Sequence, residues 1–346
     1  MSSRAKLLSE GCFKDDRGEV QVDTEWAARL ALVFSIRPVL IEIGDTNEIL
    51  FFAVKTSSGW EGMRCMPLGR KLLFALRADT LDSFEIFSDC NLNPYFESFR
   101  SIARKHAFFG WGGDLWTFRS TLTEGVVSGL NDFVQALRQE YASKEFKQKL
   151  SNYRRSGNKN LKSLRGYFLQ LFEAHARILM VRVDFSYLKK CVEAGEALHE
   201  RVQEDRDALI KHVRSGAFGR LLGAVWRLER GVKRGLHYHM LFCFDANVVQ
   251  SDVLIGMLIG QYWQKEVTGG KGVYYNCNAY KEKYPSSFLG KMHYSDRAAQ
   301  EGLDRFLKYI TVEDDLLRLS LPHIRSMGKT GTTRRATPRR GRPRKG

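Results

Sequence analysis

The chain has 346 residues, 43 % hydrophobic and 27 % charged, which fits a folded protein with core enough for two domains rather than a disordered one. Fifty-five Lys and Arg against 39 Asp and Glu leave a net charge of +16, and eight of those cations lie in the last 18 residues, from Lys329 to Gly346, without one acid. Such an excess favours a polyanionic partner, because basic clusters gain from releasing the counterions condensed on a phosphate backbone.

No apolar run reaches the ~20 residues of a membrane helix. The opening "MSSRAKLLSEG" lacks the apolar centre of a signal peptide. The six cysteines (Cys12, Cys65, Cys90, Cys191, Cys243 and Cys277) are scattered, with no CxxC pair. The expectation is a reduced cytoplasmic protein, not a membrane protein, a disulfide framework or a zinc ribbon.

In chain order, residues 1–160 read as a mixed α/β region of unassigned role. "EWAARLALVFS" has helical spacing, "VLIEIG" and "EILFFAVKT" read as strands, and 121–145 reads as a long helix. The polar, basic "NYRRSGNKNLKS" (152–163) is the best place for a boundary. Beyond it, "RILMVRVDF" (177–185) is a strand, and 188–214 a charged helix with Leu198, Val202, Leu209 and Val213 as its interrupted apolar stripe. "LLGAVWRLE" (221–229) and "LHYHMLFCF" (236–244) are strands joined by the hairpin signal "RGVKRG". Ser251 and Asp252 open a helix running to about Glu266, with Val253, Met257 and Leu258 inward. "GVYYNC" (272–277) is a further strand, and Ser295 and Asp296 open a last helix to about Leu319. The order predicts an α+β domain over 165–325. This is a split βαββαβ antiparallel sheet with helices on one face and an additional C-terminal helix, followed by a disordered basic tail over 329–346.

The informative stretch is "GLHYHMLFCFD". Alternate residues of a strand share a face, so His237 and His239 project together, while Tyr238, Met240 and Phe242 take the other side. Two neutral imidazoles one pleat apart can converge on a divalent ion, or they can be ordinary satisfied histidines. Glu229, at the end of the preceding strand, is the candidate third ligand. Paired opposite His237 it lies on the histidine face, and a register slip of one residue turns it away. One carboxylate and two imidazoles suit Mg2+ or Mn2+ acting on a phosphate. A nucleobase deaminase would need a PCxxC segment, which is absent. An amidohydrolase would carry its HxH early, ahead of a long barrel, whereas this pair comes late.

Together, "MVRVDFSY", "VWRLERGVKRGLHYHMLF", "GQYW", "GKGVYYNCN" and "YITVEDDLLR" resemble the HUH (His-hydrophobic-His) endonuclease superfamily. More closely they resemble the YagK/YfjJ C-terminal domain family with its inovirus-type rolling-circle replication initiators. The resemblance covers roughly the second half of the chain. It implies an enzyme that nicks single-stranded origin DNA, leaving a 5′-phosphotyrosine and a free 3′-OH. It also implies His237, His239 and Glu229 as metal ligands, and host replication proteins as further partners.

The resemblance places the nucleophilic tyrosine after the histidines, in a Y-x-x-K helix. Tyr309 is the only tyrosine of the last predicted helix, on the flank of a buried stripe made by Ala299, Leu303, Phe306 and Ile310. That flank suits a nucleophile and a half-buried structural tyrosine equally. The chain departs from the pattern at Val312, where the lysine is expected. Arg305, one turn before Tyr309, is the cation on the same side that can reach a phosphate. Tyr274 and Tyr275 are rival nucleophiles that read better as base-stacking or packing residues. In the tail, "PRRGRPRKG" contains the RGRP core of an AT-hook, so Arg339, Arg340, Arg342, Arg344 and Lys345 are candidate contacts to duplex DNA. Two rivals stay open: a non-catalytic DNA-binding protein or prophage-derived regulator on the same scaffold, and an RNA-binding module.

Overall fold

The computed structural model describes residues 24–55, 61–76, 90–106, 124–188, 197–231, 235–284, 288–312, 317–319 and 324–331. By internal contacts the chain divides into two compact units, one built on Asp23–Gly157 and Asp314–Ser320, the other on Asn158–Glu313 and Leu321–Gly346. The hairpin tip at 232–234 and residues 332–346 of the expected basic tail lie outside the described residues, whereas Lys329, expected to begin that disordered tail, is the last residue of a strand paired with the sheet. Among those residues no helix is long and apolar enough to cross a membrane.

The first unit contains helices α1 (Thr24–Asp45), α2 (Pro67–Ala75), α3 (Pro94–Lys105) and α4 (Glu124–Ala142), and a two-stranded antiparallel pair, β1 (Phe51–Lys55) with β2 (Glu61–Cys65). Its core is aromatic: Phe96, Phe99 and Phe133 are fully buried, with Phe99 and Phe133 edge to face. "VLIEIG", expected as a strand, is instead the end of α1. The buried positions Ile36, Val39, Leu40 and Ile43 recur at helical spacing, and that period overrides the strand preference of a β-branched run.

Helix α5 (Lys144–Ala174) runs unbroken through 152–163, the segment expected to hold a boundary. The boundary between the units, Gly157 to Asn158, therefore falls inside a helix. Past it, Leu161, Leu164, Tyr167, Phe168 and Leu171 form a buried stripe that packs on the second unit's sheet.

That sheet holds β4 (Arg177–Tyr187), β5 (Leu221–Gly231), β6 (Gly235–Asp245) and β7 (Gly272–Asn276), with α6 (Ala197–Arg214) and α7 (Asp252–Tyr262) in the crossovers. The strands lie in the order β5-β6-β4-β7, every neighbour antiparallel, as a split βαββαβ unit requires. Strand β10 (Met327–Lys329) adds to the outer edge of β5, and β8 (Gly290–His293) pairs with the start of β4. Helix α8 (Arg297–Thr311) starts where expected, with the Asp296 side chain accepting from the Ala299 N–H. It ends at Thr311 rather than near Leu319. Leu317–Leu319 forms β9, which pairs with β3 (Cys90–Leu92) of the first unit.

Helices cover both faces of the sheet, not one. On the face of Tyr238, the Tyr238 hydroxyl donates to the Val202 carbonyl of α6, and Phe185 packs against Phe242 and Trp263. The orientation of α7 is the reverse of the expected one: Val253, Met257 and Leu258 are exposed, while Ile255, Gly256, Ile259 and Gly260 face the sheet. The glycines decide it. A Cβ on Gly256 would stand 2.5 Å from Asn276 Oδ1, and one on Gly260 would stand 2.1 Å from the Tyr274 ring. The helix therefore approaches β7 closely on its small-residue side. On the opposite face, α8 and the second half of α5 close a core with Met180, Val225, Leu241 and Cys243.

Candidate metal and nucleophile site

The register of the β5–β6 hairpin pairs Glu229 with His237 and Arg227 with His239. On the other side of β6, Asp184 of β4 pairs with His239. Because alternate side chains share a face, these residues and Arg182 all project toward α8. Glu229 thus takes the orientation that a one-residue slip would have lost.

The two imidazoles are buried, and their Nε2 atoms lie 3.2 Å apart. Glu229 Oε2 lies 3.4 Å from Nε2 of His239. Donor atoms of Glu229, His237 and His239 all fall within 4.8 Å of one another. Two donors each about 2.1 Å from one divalent ion, at angles between square and tetrahedral, are about 3.0–3.4 Å apart. The three residues therefore fit a metal, with two nitrogens and one oxygen as its donors.

Support for His239 comes from β4. Asp184 Oδ1 is 3.0 Å from His239 Nδ1, the distance of an Nδ1–H donated to the carboxylate, and in the neutral ring that tautomer leaves the Nε2 lone pair for a metal. Arg182 grips the same carboxylate with Nε at 3.1 Å and Nη2 at 3.3 Å, and its guanidinium lies over the rings of Phe306 and Tyr284. Burial opposes charge on Arg182, but the negative potential of Asp184 in particular keeps it firmly protonated. For His239, burial would lower the pKa, and the Asp184 and Glu229 carboxylates outweigh it and hold the value above the ordinary one. Burial would raise the Glu229 pKa, yet His239, Arg227 and His237 together hold it well below the usual carboxylate range.

Helix α8 brings the remaining group. The Tyr309 hydroxyl lies 3.2 Å from His239 Nε2, and the two rings meet edge to face with centroids 5.6 Å apart. Tyr309 is partly buried against the core, on the flank of the stripe made by Ala299, Leu303, Phe306 and Ile310, all of which are buried. Arg305 stands exposed on α8 and enters none of these contacts. Val312 caps the helix and packs against the core. The buried cations beside the histidines are Arg182, whose Nη2 lies 3.3 Å from His239 Nδ1, and Arg227, whose Nε lies 3.7 Å from Glu229 Oε1.

Arg182, Asp184 and Arg227 are not among the site residues expected from the sequence, although "VRVDF" carries a signal for the first two. Two charged residues at i and i+2 in an otherwise apolar strand share one face and need partners there. Of the expected DNA-contacting tyrosines, Tyr275 lies on the histidine face, paired in register with Asp184, whereas Tyr274 faces away, beneath Gly260 of α7. The five cations Arg339, Arg340, Arg342, Arg344 and Lys345 lie outside the described residues.

A comparison with protein families matches residues 139–311 to the YagK/YfjJ C-terminal domain, half of the 346-residue chain, and the chain belongs to that family. No curated protein and no solved structure matches it.

Proposed function

We propose that this member of the YagK/YfjJ C-terminal domain family is a metal-dependent DNA-nicking enzyme of HUH type, an initiator of rolling-circle replication in an inovirus-like element. The observation that carries the reading is the Tyr309 hydroxyl 3.2 Å from Nε2 of His239, beside Glu229 and His237. A nucleophile, two imidazoles and a carboxylate meet at one point on a rigid sheet and helix.

In this reading the Tyr309 oxygen attacks the scissile phosphorus of single-stranded DNA. A bond forms between that oxygen and phosphorus, and the bond from phosphorus to the 3′-oxygen breaks. The phenol proton lost is balanced by the proton gained on the departing 3′-oxygen. The products are a 5′-phosphotyrosine and a free 3′-OH, and no cofactor is consumed. Glu229, His237 and His239 would hold Mg2+ or Mn2+, which supplies Lewis-acid stabilisation of the charge developing on the phosphate. Asp184 and Arg182 keep His239 oriented toward the reacting atoms. The basic tail would anchor duplex DNA near the origin.

A second reading has its own support. Val312 stands where a Y-x-x-K helix carries lysine, and Arg305 is exposed, so a regulator that binds DNA without cutting it could share this scaffold. The test incubates the protein with an end-labelled pool of randomised single-stranded DNA and Mn2+ or Mg2+, and looks for a covalent adduct. The nicking reading expects an adduct that Tyr309→Phe abolishes and that His237→Ala or His239→Ala reduces at least about 100-fold. DNA binding without adduct under either metal favours the regulator.

A further inference from the structure

The β7 edge of the sheet carries an arrangement that the histidine cluster does not use. Tyr275 and His239 pair in register with the same residue, Asp184, from opposite sides of β4. All three side chains share a face, and with strands about 4.8 Å apart the Tyr275 backbone lies roughly 10 Å from that of His239. Tyr280, in the short 3-10 segment Cys277–Lys283 that follows β7, stacks on Tyr275. The ring centroids are 5.2 Å apart and the planes are inclined by 9°. The backbone kinks at Tyr280, with φ −132° and ψ 42°, inside an otherwise helical run.

Tyr275 is partly buried against the core, but Tyr280 is 42 % exposed. Only the part of the Tyr280 ring that rests on Tyr275 is removed from water, and the rest stays accessible. Tyr280 thus presents a flat aromatic surface beside the sheet edge. Exposed Lys283 holds its Nζ 4.7 Å from the centre of the ring. An accessible ring on a rigid backing, with a movable cation beside it, matches the face of a nucleobase and the phosphate attached to it.

We propose that Tyr280, backed by Tyr275, is a stacking platform for a base of single-stranded DNA near the reacting phosphate, with Lys283 contacting the adjoining phosphate. The proposal deepens the nicking reading and rests on it for the identity of the strand. A bound base extends the stack to three rings, and Lys283 swings from the ring to the backbone. Stacking accepts every base, so the platform supplies affinity and position rather than sequence choice.

The experiment uses the whole 346-residue chain and a 30-mer oligo(dT) carrying one internal 2-aminopurine, read by fluorescence quenching and anisotropy, with oligo(rU) as a second arm. The expected result is that Tyr280→Ala weakens DNA binding about 5- to 150-fold, the range of a lost base–aromatic stack. Tyr280→Phe keeps the binding and the quenching. Lys283→Gln lowers the slope of log affinity against log salt by about 0.7. Unchanged DNA affinity for Tyr280→Ala overturns the platform, as does binding of oligo(rU) alone or no binding of single strands at all. Adduct formation on the randomised pool is scored separately. Wild type that forms the adduct beside a Tyr280→Ala protein that binds equally well removes the platform and leaves the nickase. Tyr280-dependent binding without adduct from wild type removes the nickase and leaves the platform.

Discussion

Asp184 Oδ1 lies 3.0 Å from Nδ1 of His239, while the Tyr309 hydroxyl lies 3.2 Å from Nε2 of the same ring. One imidazole is thus held from behind by a carboxylate and faces the phenol in front. A carboxylate–histidine pair of this kind fixes the ring and raises its strength as a ligand.

On the proposed metal-binding reading, Asp184→Asn should lower Mn2+ affinity about 10- to 100-fold, measured by calorimetric titration of the folded protein. His237→Ala should remove most of the binding. If Asp184→Asn binds Mn2+ as well as wild type does, His239 is not oriented through Nδ1.

Arg182 and Asp184 form an ion pair with 8 % and 3 % of their side chains exposed. Removing one partner leaves a buried charge uncompensated, so Arg182→Met should destabilise the second unit by about 3–5 kcal/mol in urea unfolding. In the double variant Arg182→Met/Asp184→Leu neither charge remains, and its cost should fall clearly below the sum of the two single costs. Additive losses would mean that the pair is not a coupled unit.

Two glycines separate close approach from helix propensity. Gly260→Ala places a Cβ 2.1 Å from the Tyr274 ring and should cost about 1–3 kcal/mol. Gly166→Ala, exposed within α5 with nothing near the added carbon, should stabilise by up to about 1 kcal/mol. Thermal melts of the two variants should move in opposite directions.

From α5, Arg165 grips Asp304 of α8 with Nε at 2.7 Å and Nη2 at 2.9 Å, and Lys308 of α8 adds a contact at 3.0 Å. The hydrogen bond from Arg165 is the main cause of a lowered Asp304 pKa. A depressed carboxylate contributes stability above its unfolded value of about 3.9, and the contribution is lost as pH falls through the lower folded value. The pair is solvent-exposed, so Asp304→Asn should remove under about 1 kcal/mol at neutral pH. The difference from wild type should shrink below about pH 4, read from urea midpoints across pH.

Much of the second unit was legible in local pattern. The alternation in "LHYHMLFCF" set both histidines on one face, and Asp296 marked the start of α8 by its chemistry. The 4-3-4 spacing of the α8 stripe left Tyr309 on the flank that it occupies. Elsewhere the local signal misled. The apolar residues Val253, Met257 and Leu258 suggested the inner face of α7, but contact distance chose the side carrying Gly256 and Gly260. The polar run around Gly157 marked a place for a boundary but hid the helix through it, because a helix with few buried positions offers little periodicity there.

The sequence by itself determined which side chains could share a strand face or a helix flank, because those relations follow from backbone periods of two and 3.6 residues. Only the tertiary structure decided whether the faces met. Strand pairing chose the register that sets Glu229 opposite His237, and it set Asp184, 55 residues before His239, directly beside it. Packing of α8 on the histidine face then brought the Tyr309 hydroxyl to His239. Such contacts join residues far apart in the chain, and they come from burial of whole faces, which no short stretch of residues encodes.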